Sequence, residues 1–115
     1  MTHDIHAHLR HLPLSAHKVR MILDLVRGQD AVKAINTLRF MPQRAAKPVL
    51  KLLNSAIANA EENFGVSRDD LVVAKIIADE APTRRWRRFA ARGRFKTILR
   101  RTSHVTVVLR ERESA

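Results

Sequence analysis

The sequence predicts an α+β fold: three helices packed on one face of a small three-stranded antiparallel sheet, with a long basic β-hairpin protruding from it. Three observations carry that expectation. Apolar and polar residues alternate near the N-terminus, the period of a half-buried strand. The middle of the chain repeats apolar residues at helical spacing in three successive stretches. Two apolar, strand-like runs then bracket a segment dense in arginine. A chain of 115 residues suits one domain. No internal repeat is visible, so residues 1–115 are read as a single unit.

The elements follow in order. Ile5, Ala7 and Leu9 alternate with His6, His8 and Arg10, giving a first strand that Pro13 ends. Ser15 stands where a helix N-cap would. Val19, Ile22, Leu23 and Val26 then share one helical face, and Gly28 stops the helix by taking a left-handed conformation. Ala31, Ala34, Ile35 and Leu38 define a second helix from about Asp30. Phe40-Met41-Pro42 forms a corner, with Pro42 acceptable as a first helical residue. A third helix is expected from about Pro42 to Asn63, burying Ala45, Val49, Leu52, Leu53, Ala56 and Ala60. Pro48 either kinks it or marks its true start, and Gly65 ends it. Leu71 to Ala78 and His104 to Leu109 read as two further strands. Helices on one face of an antiparallel sheet are the packing solution this order favours. Aromatics are scarce, at 4%, so aliphatic side chains must fill the core.

Composition narrows the function. Lys and Arg number 22 against 11 Asp and Glu, a formal net charge of +11. Such a surface attracts polyanions and repels copies of itself, so nucleic acid is the first partner to consider. An acidic membrane surface is the second, but a membrane partner is not expected: no apolar run approaches the ~20 residues a bilayer span needs, and the basic segment does not provide the amphipathic helix that membrane-active cationic proteins use. Nor does the N-terminus carry a signal core or a transit-peptide composition. The chain has no cysteine, which excludes disulfides and thiolate metal sites. A cytoplasmic location is expected.

The charge is concentrated. Thr83 to Arg101 holds Arg84, Arg85, Arg87, Arg88, Arg92, Arg94, Lys96, Arg100 and Arg101, and no acid occurs from Ala81 to Arg110. The simplest geometry continues the last two strands into a hairpin arm, about 83–101, with Gly93 supplying a turn near its tip. About nine residues per side at ~3.3 Å each give a reach of roughly 30 Å. Trp86, Phe89 and Phe95 interleave with the cations. Arginine forks grip phosphate and flat rings stack on exposed bases, so this segment reads as a nucleic-acid contact.

Other constellations carry less. His3, His6, His8 and His11 crowd the N-terminus, and His6 and His8 share a strand face, but no carboxylate or cysteine completes a metal site there. Ser103 and His104 are adjacent on a strand and point to opposite faces, so they do not form a nucleophile–base pair. Asp79 and Glu80 face opposite ways for the same reason, and are expected to meet nearby arginines or end the strand. Three unclustered glycines exclude a nucleotide-cradling loop. Asn59 lies near the buried stripe of the third helix and is read as a hydrogen-bonded core group. Lys18, Arg20 and Arg27 can face outward from the first helix. No catalytic residue, metal or cofactor is assigned, and the chain is not read as an enzyme.

Several stretches together resemble the twenty-second family of large-subunit ribosomal proteins, bacterial type. They are Leu14-Ser-Ala-His-Lys-Val-Arg20, Asp24-Leu-Val-Arg-Gly28, Lys51-Leu-Leu-Asn-Ser-Ala-Ile-Ala-Asn-Ala60, Asp79-Glu-Ala-Pro-Thr83, Arg92-Gly-Arg94 and Arg101-Thr-Ser-His-Val-Thr-Val-Val108. The resemblance implies a structural constituent of the large subunit that binds 23S-type ribosomal RNA, aids assembly and meets neighbouring ribosomal proteins. It implies that the arm lines the peptide exit tunnel. The tip, Arg88, Phe89, Ala90, Ala91, Arg92, Gly93, Arg94 and Phe95, would then lie near the nascent peptide and the macrolide site. Lys18 and Arg20 match a family motif and, with Arg27, join the RNA-contacting set. Thr102, Ser103 and His104 join it as the base of the hairpin. Ala81 stands where the family usually has Gly, and Trp86, Phe89 and Ala90 where it commonly has Arg, Pro and Arg.

Overall fold

A computed structural model describes residues 4–89 and 95–112, with residues 84–89 and 95–100 described by backbone alone. Strand β1 (Asp4–Leu12) is followed by α1 (Ala16–Val26), α2 (Ala31–Arg39) and α3 (Ala46–Phe64). A 3-10 turn (Arg68–Asp70) leads into β2 (Leu71–Phe89) and then β3 (Phe95–Glu111). The strands form one antiparallel sheet in the order β1-β3-β2, as an α+β fold requires. The expected tip residues Ala90, Ala91, Arg92, Gly93 and Arg94 lie outside the described residues.

The core joins the helices to one sheet face. Val19, Leu23 and Val26 of α1, Leu38 of α2 and Val49, Leu53 and Ile57 of α3 pack with Ile5, Val73, Ile76, Val105, Val107 and Leu109. No aromatic side chain enters it among the described residues, and Phe40 is 82% exposed. Small residues compensate: Ala31, Ala34, Ala46, Ala56 and Ala60 are fully buried and let the elements approach closely.

Several expectations need correction. Ser15 sits at the N-cap of α1, yet its side chain makes no capping hydrogen bond. Helix α3 starts at Ala46 and not at Pro42. Pro48 is therefore its third residue, within the first turn, where a missing N–H costs no helical bond. Asn59 is half-buried and accepts a hydrogen bond from Asn63 one turn on, so it is a helix-surface pair and not a core group. Asp79 and Glu80 do not end a strand, because β2 runs on to Phe89.

One irregularity rescues the alternation of β1. Leu9 pairs with Val105 and Leu12 with Ser103, so Arg10 and His11 together oppose His104. This is a β-bulge. His11 takes φ 58°, a left-handed conformation uncommon outside glycine. The extra residue returns Leu12 to the buried face after Ile5, Ala7 and Leu9. The backbone N–H of His11 donates to His104 Nδ1 at 3.0 Å, and the two rings meet edge to face with centroids 4.8 Å apart.

Candidate nucleic-acid interface

Past the Leu12–Ser103 pair the sheet narrows from three strands to two. Only β2 and β3 continue, paired from Ala81–Thr102 out to Phe89–Phe95. The molecule is correspondingly long, 68 × 25 × 20 Å, with a radius of gyration of 17.4 Å, where a compact chain of this length would have about 13 Å.

The root of this ribbon carries a second bulge. The register shifts between Ala81 and Arg84, so Pro82 and Thr83 oppose Arg101. Proline lacks the N–H a ladder needs and is tolerated at such a bulge on an edge strand. The Thr102 hydroxyl donates to the Pro82 carbonyl at 3.1 Å and ties the bulge down. Beyond it, the register sets Arg84 opposite Arg100 and Arg88 opposite Lys96. Like charges directly opposite one another destabilise a sheet in water, and no acid in this stretch offsets them.

The other predicted contact residues divide. Lys18 and Arg101 are exposed, and Thr102 and His104 are half-buried. Ser103 is corrected: it is fully buried and its hydroxyl has no hydrogen-bond partner among the described residues, so its side chain is not on the contact surface. The two-residue period through Val105, Val107 and Leu109 already placed it inside. Arg84, Arg85, Trp86, Arg87, Arg88, Lys96 and Arg100 lie on paired strand backbone.

Arg20 and Arg27 prove to hold the fold. Arg20 Nε donates to the Ala78 carbonyl at 3.0 Å, and an Arg27 guanidinium nitrogen donates to the Ile76 carbonyl at 2.9 Å. Both acceptors belong to the outer edge of β2. The loop after α1 covers the same edge lower down: the Gly28 N–H donates to the Val73 carbonyl at 3.1 Å and the Val73 N–H to the Gln29 carbonyl at 2.9 Å. An open strand edge invites pairing with other chains, and these contacts close it. Arg27 also pairs with Asp24 on its own helix.

Sequence reasoning missed Arg44, Lys47 and Lys51. All three are exposed. Arg44 meets Lys18 and Arg101 around a cleft of about 690 Å³ at the arm's root, which Pro13, Leu14, His17, Glu80 and Thr83 also line. Lys47 and Lys51 are four residues apart, on one exposed stripe of α3. Some cations elsewhere are neutralised: Arg68 pairs with Glu61 at 2.8 Å, Arg112 with Asp30 at 2.6 Å and Arg110 with Asp4 at 2.8 Å. The hydrogen bond from Arg110 holds the Asp4 carboxyl below its usual range.

The described residues contain no group of three or more His, Asp or Glu side chains fit to hold a metal. His8 instead shares a hydrogen bond with the Thr106 hydroxyl at 3.1 Å. No helix among them is long and apolar enough to cross a membrane. A small α+β body with a two-stranded basic extension, its cations unopposed over a long stretch, defines the class: a structural protein of a ribonucleoprotein particle.

The comparisons make the class particular. The family model described as Ribosomal protein L22p/L17e matches residues 7–110, and the chain belongs to that family. Among its relatives is a protein named large ribosomal subunit protein uL22 from Thermoanaerobacter sp. (strain X514), 48% identical over 104 residues, covering 90% of this chain and 94% of the relative. The protein of the same name from Caldicellulosiruptor saccharolyticus is 48% identical over 107 residues, covering 93% and 88%. That from Cutibacterium acnes is 45% identical over 105 residues, covering 91% and 69%. Family membership makes this chain a structural constituent of the large ribosomal subunit, not an enzyme.

Proposed function

We propose that this chain binds 23S-type ribosomal RNA, that binding aids assembly of the large subunit, and that its arm, 83–101, lines the peptide exit tunnel. The tip, Arg88 to Phe95, then stands near the nascent peptide and the macrolide site. The body contacts neighbouring large-subunit proteins, in a cytoplasmic ribosome.

One observation carries the reading. Strands β2 and β3 stay in register through a segment that sets Arg84 opposite Arg100 and Arg88 opposite Lys96, in a stretch with no acid. That arrangement is favourable only where anions lie against it, and a folded RNA supplies phosphates on several sides of a slender ribbon. Phosphate contacts would fix the arm's position, and Trp86, Phe89 and Phe95 would offer stacking surfaces to unpaired bases.

Salt dependence tests it. With on the order of 8 phosphate contacts, the logarithm of the affinity for large-subunit ribosomal RNA should fall against the logarithm of salt concentration with a slope near −6 to −7. A slope near zero would rule out a phosphate-driven contact.

A further inference from the structure

We propose that the cleft at the root of the arm is a seat for a backbone phosphate of RNA, distinct from the contacts along the arm itself. The inference rests on the RNA-binding reading and adds a site to it. Three cations from three separate elements meet there: Lys18 from α1, Arg44 from the corner before α3 and Arg101 from β3. Tertiary structure alone brings them together.

Their lack of partners is informative. Among the described residues, none of the three side chains has a hydrogen bond or an ion pair, whereas Arg27, Arg68, Arg110 and Arg112 each hold a carboxylate. Other exposed cations, Lys33 and Lys75 among them, also lack a carboxylate partner among the described residues, but here three from separate elements line one cleft. Its one acid, Glu80, is likewise unpaired among the described residues. Three like charges held around a cleft by different elements raise one another's energy. An anion that several cations can reach at once removes that cost.

The chemistry favours a phosphodiester. A guanidinium fork donates to two oxygens of one phosphate, and an ammonium supplies a compact charge to another. The bulge aims the site: it sets Arg101 opposite Pro82 and Thr83, and both Thr83 and Arg101 line the cleft. Along the chain, cations continue on either side, in the acid-free stretch before Arg101 and at Lys47 and Lys51 of α3 after Arg44. A chain of linked phosphates can follow such a path, and a free anion cannot. A phosphate seated here fixes where the RNA backbone leaves the body, and hence the angle at which the arm enters it.

The test uses the full chain and transcribed bacterial large-subunit ribosomal RNA, with affinity measured across a salt series. The double variant Lys18→Gln/Arg44→Gln removes two exposed, unpaired cations and should melt like the unaltered protein. Removing one cation from a phosphate weakens affinity about sixfold at 0.1 M salt and makes the salt slope shallower by about 0.7–0.9. The double variant should therefore bind about 6- to 40-fold more weakly. Lys33→Gln/Lys75→Gln removes equal charge from α2 and β2 outside the cleft and should bind within about threefold of the unaltered chain. Glu80→Gln, which removes only the cleft's acid, should tighten binding. The seat is refuted if Lys18→Gln/Arg44→Gln binds as the unaltered chain does, or no worse than Lys33→Gln/Lys75→Gln. If that happens while Arg84, Arg85, Arg87 and Arg88 changed together to Gln abolish binding, the seat alone is wrong and the RNA reading stands. A flat salt slope for the unaltered chain overturns both.

Discussion

The body and the arm solve the problem of charge in opposite ways. Of the net +11, nine positive charges lie between Thr83 and Arg101, which leaves the rest of the chain at +2. In the body, Arg68, Arg110 and Arg112 sit against carboxylates, and Arg20 and Arg27 are bonded to backbone carbonyls of β2. The arm has no acid, and its register places like charges face to face. Several of the body's cations are thus answered within the chain, whereas the arm holds no acid that could answer its own. The two regions nevertheless share strands β2 and β3. A single pair of strands is thus half protein core and half basic ribbon, with the Pro82–Thr83 bulge marking the change.

If that division is right, the regions come apart cleanly under mutation. Removing 88–95 should cut affinity for ribosomal RNA about two hundredfold at 0.1 M salt, because three cations go at about sixfold each. The melting temperature of the body should hardly move. In cells, the same deletion should change macrolide sensitivity. A collapsed melt would break the comparison by showing that the arm belongs to the core. The converse variant is Leu53→Ala, which opens a cavity under α3 where the side chain is fully buried. It should cost about 2–5 kcal/mol, enough to lower the melting temperature by roughly 10–20 °C. The fraction still folded should bind RNA as before. Binding that falls while the protein is folded would mean that the body's packing sets the geometry of the interface.

The same division explains what the sequence could reveal. Periodicity exposes an apolar face wherever the chain is regular, so Val19, Ile22, Leu23 and Val26 announced α1, and Val49, Leu52, Leu53 and Ala56 announced α3. The arm was legible for a different reason: unopposed charge is a property of composition and needs no fold to be seen. Resemblance, not physics, supplied the family. The illegible features all depend on distant parts of the chain meeting. Arg20 finds its acceptor 58 residues away and Arg27 finds one 49 residues away. Backbone carbonyls on an edge strand leave no mark in the sequence, so both arginines looked like surface charge. Arg44 was one cation in a loop until the arm's root was seen beside it. The start of α3 was misjudged because Pro42 and Pro48 can each occupy a first turn, and only packing chooses between them. The bulge at His11 was hidden because neither residue opposing His104 is glycine.

Arg20 and Arg27 sharpen the comparison at its boundary, since they are basic residues on the body side. Arg20→Ala and Arg27→Ala should each destabilise the fold by about 1–2 kcal/mol, because each leaves an edge carbonyl without its donor. RNA affinity should fall by no more than a few-fold in either variant. The measurement pairs denaturant unfolding with RNA binding on the same samples. Unchanged unfolding with a large loss of affinity would move both residues across the boundary into the interface.

The smallest effect lies at the far end of the sheet from the arm. Asp4 and Arg110 are register partners on β1 and β3, and the guanidinium makes a two-point contact, Nε to Oδ1 at 2.8 Å and a terminal nitrogen to Oδ2 at 3.3 Å. The contact holds the Asp4 carboxyl below its usual range, chiefly through the hydrogen bond from Arg110. A carboxyl with a lowered folded-state pKa contributes stability that is fully present above its unfolded value, near 4, and is lost as pH falls through the folded value. Asp4→Asn should therefore melt slightly below the unaltered protein at pH 7, and the gap should close as the pH falls through the lowered value of the Asp4 carboxyl. Because the pair is exposed to solvent, salt should shrink the gap as well. A difference that persists unchanged in acid would mean that β1 loses something other than a charge. Its edge would then be held by packing and backbone pairing without help from the ion pair.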